Sequence, residues 1–418
     1  MTTSVTQPAP TRASPARGSD HGVIVARPAE GNLRWSILPA RERSQALELW
    51  RTLERRMEAD DAFAGVPLAV SSDWTETWLT HYGAAVPHEF LMLADSRGPV
   101  GLSLLTKQTG RGVGPFREKS RHIGTAGENH GESVCVEHNQ LLVVPQHRSA
   151  FQERLVAHVL QDKSWESFRL DGFAEESAAA LQEELPGFER RYRESPYYDL
   201  RAARAGGGDV LERLGRSTRQ NVRRLLRKYG EIETEWAETT AEAKDVFAEL
   251  MELHQARWKR IGQPGAFRSR RFRGFQQSLI ERSFDDPEGE RRVVLFRARH
   301  GDATVGCLLL LCDRNRLLDY LSGFADFEAM ASPGIVTHVL CMQEALRRGY
   351  DAYDFLVGEK RHKANLSTDS SRLVWAAWNR PTLRSRTIGM LRKVKRRWTE
   401  IRRGGHSGST AVPDGMPD

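Results

Sequence analysis

The stretch from Asn315 to Leu366, NRLLDYLSGFADFEAMASPGIVTHVLCMQEALRRGYDAYDFLVGEKRHKANL, limits the fold more than any other part of the chain. Its pattern predicts a strand over Arg316–Ser322 and a turn. A helix then opens at Ser332-Pro333-Gly334 and runs to about Arg348, and a second strand, Ala352–Val357, is broken by Gly358. A unit of this length lays its strands parallel through a right-handed crossover. The helix N-terminus then sits beside both strand ends, where unpaired amides and the positive dipole end suit a phosphate or another anion. Ser332 suits the N-cap and Pro333 the first helical position, while Gly334 lets a ligand approach the backbone. An ordinary well-capped crossover reads the same way.

At 418 residues the chain is too long for one core, so two domains are expected. The formal charge is +7, but ten basic residues and one acid, Glu400, lie between Arg380 and Arg403. The remainder is nearly neutral, which argues against a DNA-binding body. Cys135, Cys307, Cys312 and Cys341 form no C-x-x-C pair and match no zinc spacing, so free thiols and no metal are expected. Residues 1–31, rich in Pro, Ala, Thr and Ser, read as a disordered arm without the apolar core of a signal peptide. The longest apolar run, Val305–Cys312, is far shorter than the roughly 20 residues a membrane helix needs. A cytoplasmic protein is expected.

Along the first half, helices are predicted over Arg41–Met57, Trp74–Tyr82 (capped by Asp73), Ser149–Leu160 and Glu175–Leu185. Strands are predicted over Glu89–Ala94, Val100–Lys107, Arg121–Gly124, His138–Val144, Ser167–Leu170 and Phe188–Arg193. The second half begins with a basic helix behind a Ser217/Gln220 capping box, and a strand over Ile232–Trp236 follows. Helices capped by Thr239 and Ser269, a hairpin over Val293–Cys312, the crossover unit and a closing strand over Arg372–Trp378 complete it. The first half repeats much of the second half's order of elements without repeating its residues. The expected fold class is mixed α/β, two similar units in tandem: an arm (1–31), units at 32–205 and 206–380, and a tail (381–418).

That order, with one parallel crossover per unit, resembles the GNAT acyltransferase fold, and the tandem resembles the FemAB-type transferases. More closely, RSTRQNVRRLLRKYG (Arg216–Gly230), LHQARW (Leu253–Trp258), DYLSGFADFEAMASPG (Asp319–Gly334) and AYDFLVGEKRHK (Ala352–Lys363) resemble the CelD/BcsL-type acetyltransferases linked to cellulose and exopolysaccharide biosynthesis. The resemblance implies acyl transfer, with acetyl-CoA as co-substrate, to an amine or hydroxyl of a saccharide or lipid-linked envelope precursor. It implies a donor site at Gly323, Ser332, Pro333 and Gly334, in a splay between the two parallel strands. It also leaves open an aminoacyl-tRNA donor, as in FemAB-like enzymes, or a degenerate scaffold.

Asp354, between Tyr353 and Phe355 in an expected central strand, is either a base or orienting group in the cleft or a structural carboxylate. Tyr320 is a proton relay, an acyl-site wall or a core tyrosine. Glu359 and Lys363, four apart, form a surface ion pair or, with Gly358, hold substrate; the resemblance implies that Lys363 meets a phosphate. His338 reads as a packed histidine before a base. Arg219 and Arg223 lie on one face of the basic helix with Arg216 and Arg227, either solvated or touching an anionic substrate. The acidic loop Gly127–Asn139 is expected beside the acceptor cleft. Within the tail, residues 387–403 set Leu391, Val394, Trp398 and Ile401 among arginines, a pattern for contact with an anionic membrane or for docking on the sheet.

Overall fold

The computed structural model describes residues 33–60, 63–110, 117–129, 131–135, 137–286, 290–358, 360–382 and 390–391. The first unit runs β1 (Arg34–Pro39), α1 (Arg43–Glu58), α2 (Ser72–Tyr82), β2 (His88–Asp95), β3 (Gly98–Gly110), β4 (Glu118–Ile123), β5 (Leu142–Val143), α3 (Arg148–Gln161), β6 (Ser167–Ala174), α4 (Glu175–Glu184) and β7 (Glu189–Asp199). After α5 (Leu200–Ala205) come α6 (Arg216–Tyr229), β8 (Glu233–Trp236), α7 (Thr240–Arg260), α8 (Arg270–Asp285), β9 (Val293–His300), β10 (Ala303–Asp313), β11 (Arg316–Phe324), α9 (Pro333–Arg347), β12 (Ala352–Asp354), α10 (Arg361–Leu366) and β13 (Asp369–Asn379). The expected mixed α/β tandem is therefore what forms.

The strands join in one sheet, ordered β1-β2-β3-β4-β6-β13-β7-β12-β11-β10-β9-β8, with β5 beside β3. Two pairs are parallel, β4–β6 and β11–β12, one per unit. The last strand of each unit crosses to the other: β13 pairs with β6, and β7 pairs with β12. Each unit thus lacks a strand without its partner, and the β7–β13 ladder welds them at the sheet centre.

Local sequence explains several helix starts. Thr239 and Glu242 form both bonds of a capping box at α7, and Ser269 accepts from Phe272 N at α8. At α2 the cap is Ser71, which accepts from Trp74 N, so the helix starts before the expected Asp73. The α6 capping box does not form; that helix starts at Arg216 behind Gly215 with no side-chain cap bond. On one sheet face α1, α2, α7 and α8 share a core, with Trp74 edge-on to Phe275 at 4.9 Å across the two units. On the other face α3 and α4 cover the first unit, and α6 and α9 the second.

Several strands differ from expectation: β7 runs on to Asp199, six residues past Arg193, and β4 lies at Glu118–Ile123 instead of Arg121–Gly124. The run His138–Val144 yields only β5 and a single bridge at Asn139, because Cys135 and His138 adopt left-handed backbone that breaks a ladder. The strand expected over Ala352–Val357 ends at Asp354, since Leu356 turns left-handed (φ 57°). β1 lies just beyond the arm and was not anticipated. The basic segment 387–403 lies outside the described residues apart from Met390 and Leu391. Among the described residues no helix is long and apolar enough to cross a membrane.

Candidate active site

In the second unit β11 and β12 stay paired for Arg316↔Ala352, Leu317↔Tyr353 and Leu318↔Asp354, then part. Two features hold them apart. Opposite β10, the register slips so that Leu309 faces Leu321 and Leu310 faces Asp319, leaving Tyr320 as a bulge. Beyond β12, the left-handed Leu356 redirects the chain, and Lys363 Nζ donates to the carbonyls of Phe355 (2.6 Å), Leu356 (3.1 Å) and Val357 (3.1 Å). The ammonium thus satisfies the acceptors of the segment that left the sheet.

Asp319 is the first residue past the paired stretch, and alternation turns it toward α9. Its Oδ1 is buried without a hydrogen bond among the described residues. Its Oδ2 lies 3.8 Å from His338 Nε2, and His338 Nδ1 is 2.9 Å from the Tyr353 hydroxyl. His362 stacks on His338 with ring centres 5.8 Å apart. Burial raises the Asp319 pKa to about 6, although Lys363, His362 and Lys360 pull it down. Burial lowers His338 to about 3 and His362 to about 4 and also depresses Lys363, against the pull of Asp319. At neutral pH the cluster holds an anionic carboxylate and two neutral imidazoles. Sequence reading passed over Asp319, yet it shares the pattern of Asp354: one acid amid apolar strand residues.

The residues singled out from the sequence divide sharply. Asp354 is fully buried, accepting from Ser195 Oγ (2.7 Å), Leu356 N (2.8 Å) and Arg316 Nη1 (2.9 Å), with His138 Nε2 3.2 Å away. It joins β7, β11, β12 and the first-unit loop, the geometry of a structural carboxylate. Tyr320 donates to Val134 O at 2.6 Å, with Gln276 beside it, so its hydroxyl is engaged across the units. Gly358 (φ 151°) leaves room for Lys363; a Cβ there would meet Nζ at 3.0 Å. Glu359 lies outside the described residues.

At the helix tip Pro333 opens α9 as expected, but Ser332 is left-handed (φ 50°) and its hydroxyl makes no cap bond. A side chain caps from extended backbone, which Ser332 lacks. Its carbonyl instead accepts from Ile335 N (3.1 Å) and Val336 N (3.3 Å). The two glycines expected at the donor are packing glycines. A Cβ on Gly323 would lie 2.6 Å from Leu250 O of α7, and one on Gly334 would lie 3.2 Å from the Phe324 ring. Arg257 of α7, half-buried with no carboxylate partner among the described residues, stands over Phe327 in the same turn (5.7 Å). Arg219 and Arg223 both hold Glu212, at 3.0 and 2.7 Å. The α6 helix nonetheless reaches the site, because Tyr229 at its end donates to Ala331 O (3.1 Å).

The first-unit acidic loop enters the second unit. Glu137 accepts from Val357 N at 2.8 Å, and burial raises its pKa. With His138, Cys135, Leu318, Tyr320 and Leu356 it borders a narrow inter-unit cavity of about 20 Å³, on the face of β11 opposite Asp319. Among the described residues no group of three His, Cys, Asp or Glu is placed to hold a metal ion.

Residues 216–364 match the model of the acetyltransferase (GNAT) domain family. No curated protein matches the sequence. Among solved structures, FemX is 12% identical over 78% of this chain and 95% of its own, with a TM-score of 0.50. A tandem GNAT protein from the clavulanic acid biosynthesis pathway is 14% identical over 84% of this chain and 100% of its own, with a TM-score of 0.43. A conserved protein of unknown function from Bacteroides thetaiotaomicron is 11% identical over 80% and 97%, with a TM-score of 0.46. The matched span runs from α6 into α10 and contains the whole splay, so the second unit carries a GNAT acetyltransferase domain and the protein is an acyltransferase built as a tandem of GNAT-like units.

Proposed function

We propose that the protein transfers a short acyl group from acetyl-CoA or a similar acyl-CoA to an amine or hydroxyl of a saccharide or lipid-linked envelope precursor. The reaction is assigned to the second-unit splay. The observation that carries this reading is Asp319: a buried carboxylate with an unpartnered oxygen where two parallel strands part. Such a group, with a pKa near 6, suits removal of a proton from an attacking nucleophile. The donor, when bound, supplies an activated carbonyl and a thiolate leaving group.

Asp319 takes the acceptor proton, while neutral His338, oriented by Tyr353, stands 3.8 Å from its Oδ2 and adds no competing charge. Lys363, tied to three carbonyls, keeps the segment after β12 turned out and adds positive charge near the developing oxyanion. The freed edge of β11 offers backbone pairing to an extended donor arm. Arg257 and the Gly334 amide are the groups for its phosphates. Asp354 positions rather than reacts. Segment 387–403 would add contact with an anionic membrane at its cytoplasmic face.

The test is calorimetric titration with acetyl-CoA, followed by thiol release with candidate acceptors. Binding on the order of micromolar to sub-millimolar is expected, weakened in Arg257→Ala and lost in Gly334→Glu. Absence of binding to acetyl-CoA and to longer acyl-CoAs overturns the donor assignment. Exposed Arg227 and Lys228 beside the site favour a second reading with charged tRNA as donor.

A further inference from the structure

We propose that the first unit contains a second reactive centre, with Ser120 as a nucleophile that accepts an acyl group from an ester or thioester. Its parts are adjacent in the sheet. On β4, Ser120 Oγ lies 2.8 Å from His122 Nε2. His122 Nδ1 lies 2.5 Å from Asp171 Oδ2 on β6. A carboxylate on Nδ1 fixes the tautomer that leaves Nε2 bare to accept a hydroxyl proton, which is how a nucleophilic serine is activated. The competing acceptor for that proton, Gln108 Oε1, is 3.5 Å away, beyond a good O–H···O distance.

The surroundings are those of a binding site and not of a closed polar network. Three buried polar atoms on this face have no partner among the described residues: Thr106 Oγ1, Ser167 Oγ and Arg169 Nε. Strand register places them around the relay, with Thr106 and Arg169 on either side of His122 and Ser167 beside Ser120. Buried polar groups are nearly always satisfied in folded proteins, so three orphans around one serine call for a polar ligand. Ser120 and His122 are each 4% exposed, whereas the Arg169 and Asp171 side chains are 33% and 27% exposed, so the relay runs from a buried serine to partly exposed neighbours.

In the proposed step the Ser120 oxygen bonds to the acyl carbon, and His122 takes the hydroxyl proton. The bond from the acyl carbon to the alcohol or thiol breaks, and His122 returns the proton to that leaving group. Water or a second hydroxyl then releases the acyl group by the reverse path and restores Ser120. The free Arg169 Nε–H is the donor available to the tetrahedral oxygen.

The test is exposure of the full-length protein to a fluorophosphonate, read by intact mass and peptide mapping. It needs no acyl-CoA, so it stands apart from the second-unit assignment. A single adduct on Ser120 is expected, absent in Ser120→Ala, a change of one oxygen whose folding is checked by thermal unfolding. His122→Gln is expected to slow labelling at least about 100-fold, and Asp171→Asn comparably. No adduct, an adduct elsewhere, or labelling of Ser120 at an unchanged rate in His122→Gln overturns the proposal.

Discussion

Each unit parts its parallel strands after three paired positions, but the two gaps are filled differently. In the first unit a backbone segment closes the gap. Asn139 N donates to Gly172 O (2.8 Å), Ala174 N donates to Asn139 O (3.2 Å), and the Asn139 amide donates to Ile123 O (3.2 Å). In the second unit no strand takes that place among the described residues; a lysine head caps the stray carbonyls, and Asp319, whose Oδ1 has no hydrogen bond among those residues, lies where the strands part. A sealed gap cannot pair with an extended donor arm, whereas an open one can. One architecture used twice has thus kept its splay open in only one copy. Any chemistry in the first unit belongs to the face that carries Ser120 and not to the gap.

The largest expected effect follows from removing the acid in the open copy. Asp319→Asn should lower acyl transfer by about 10²–10⁴-fold while leaving donor binding in place, as read by thiol release and calorimetry. Its pKa is raised by burial, so the charged form is the strained one in the fold. Stability from this group is fully present below its unfolded pKa, near 4, and is lost as pH rises through about 6. Asp319→Asn should therefore stabilise the protein at pH 8, by up to about 3 kcal/mol in denaturant titration. An equal loss of activity and stability would make Asp319 a packing residue and erase the contrast between the copies.

The pH dependence is the next sharper probe. The wild-type rate should fall about tenfold per unit as pH drops below 6, because the base becomes protonated. The residual rate of Asp319→Asn should lack that limb. A profile centred well above pH 7 would point to a different base.

The polar fillers of the two gaps should differ in the same sense. Lys363→Met leaves three carbonyls without their donor and should cost about 1–3 kcal/mol as well as slow transfer. Asn139→Ala should cost a similar amount by chemical denaturation with little change in donor affinity. If Asn139→Ala weakens acetyl-CoA binding as much as Lys363→Met does, the donor uses the first unit as well.

Much of this was legible in the chain. The crossover at Ser332–Gly334, the Thr239 cap and the hairpins stand out because local patterns decide them. The exchange of β7 and β13 left no sequence trace, since a strand pairs alike with either neighbour and only the assembled sheet chooses. Site residues were hardest. Asp354 and Asp319 look alike in sequence, but three donors saturate the first while the second keeps an empty oxygen. Likewise Ser120 and His122 draw no notice until β6 brings Asp171 alongside.

The smallest effects test the glycines of the open copy. A ligand-approach role and a packing role give different substitution patterns. At Gly323 the obstacle is α7 backbone, 2.6 Å from a would-be Cβ, so Gly323→Ala should force α7 off β11 and cost about 1–3 kcal/mol. At Gly334 the obstacle is the Phe324 ring at 3.2 Å, which can yield by a few tenths of an ångström, and alanine favours the helix by about 1 kcal/mol. Gly334→Ala should therefore lie within about 1 kcal/mol of wild type in thermal unfolding. Its effect on acetyl-CoA affinity separates the roles: a packing glycine leaves affinity nearly unchanged, since one methyl group turned toward Phe324 blocks no amide. A tenfold or larger loss with unchanged stability would mean that the donor's phosphates lie against Gly334 itself.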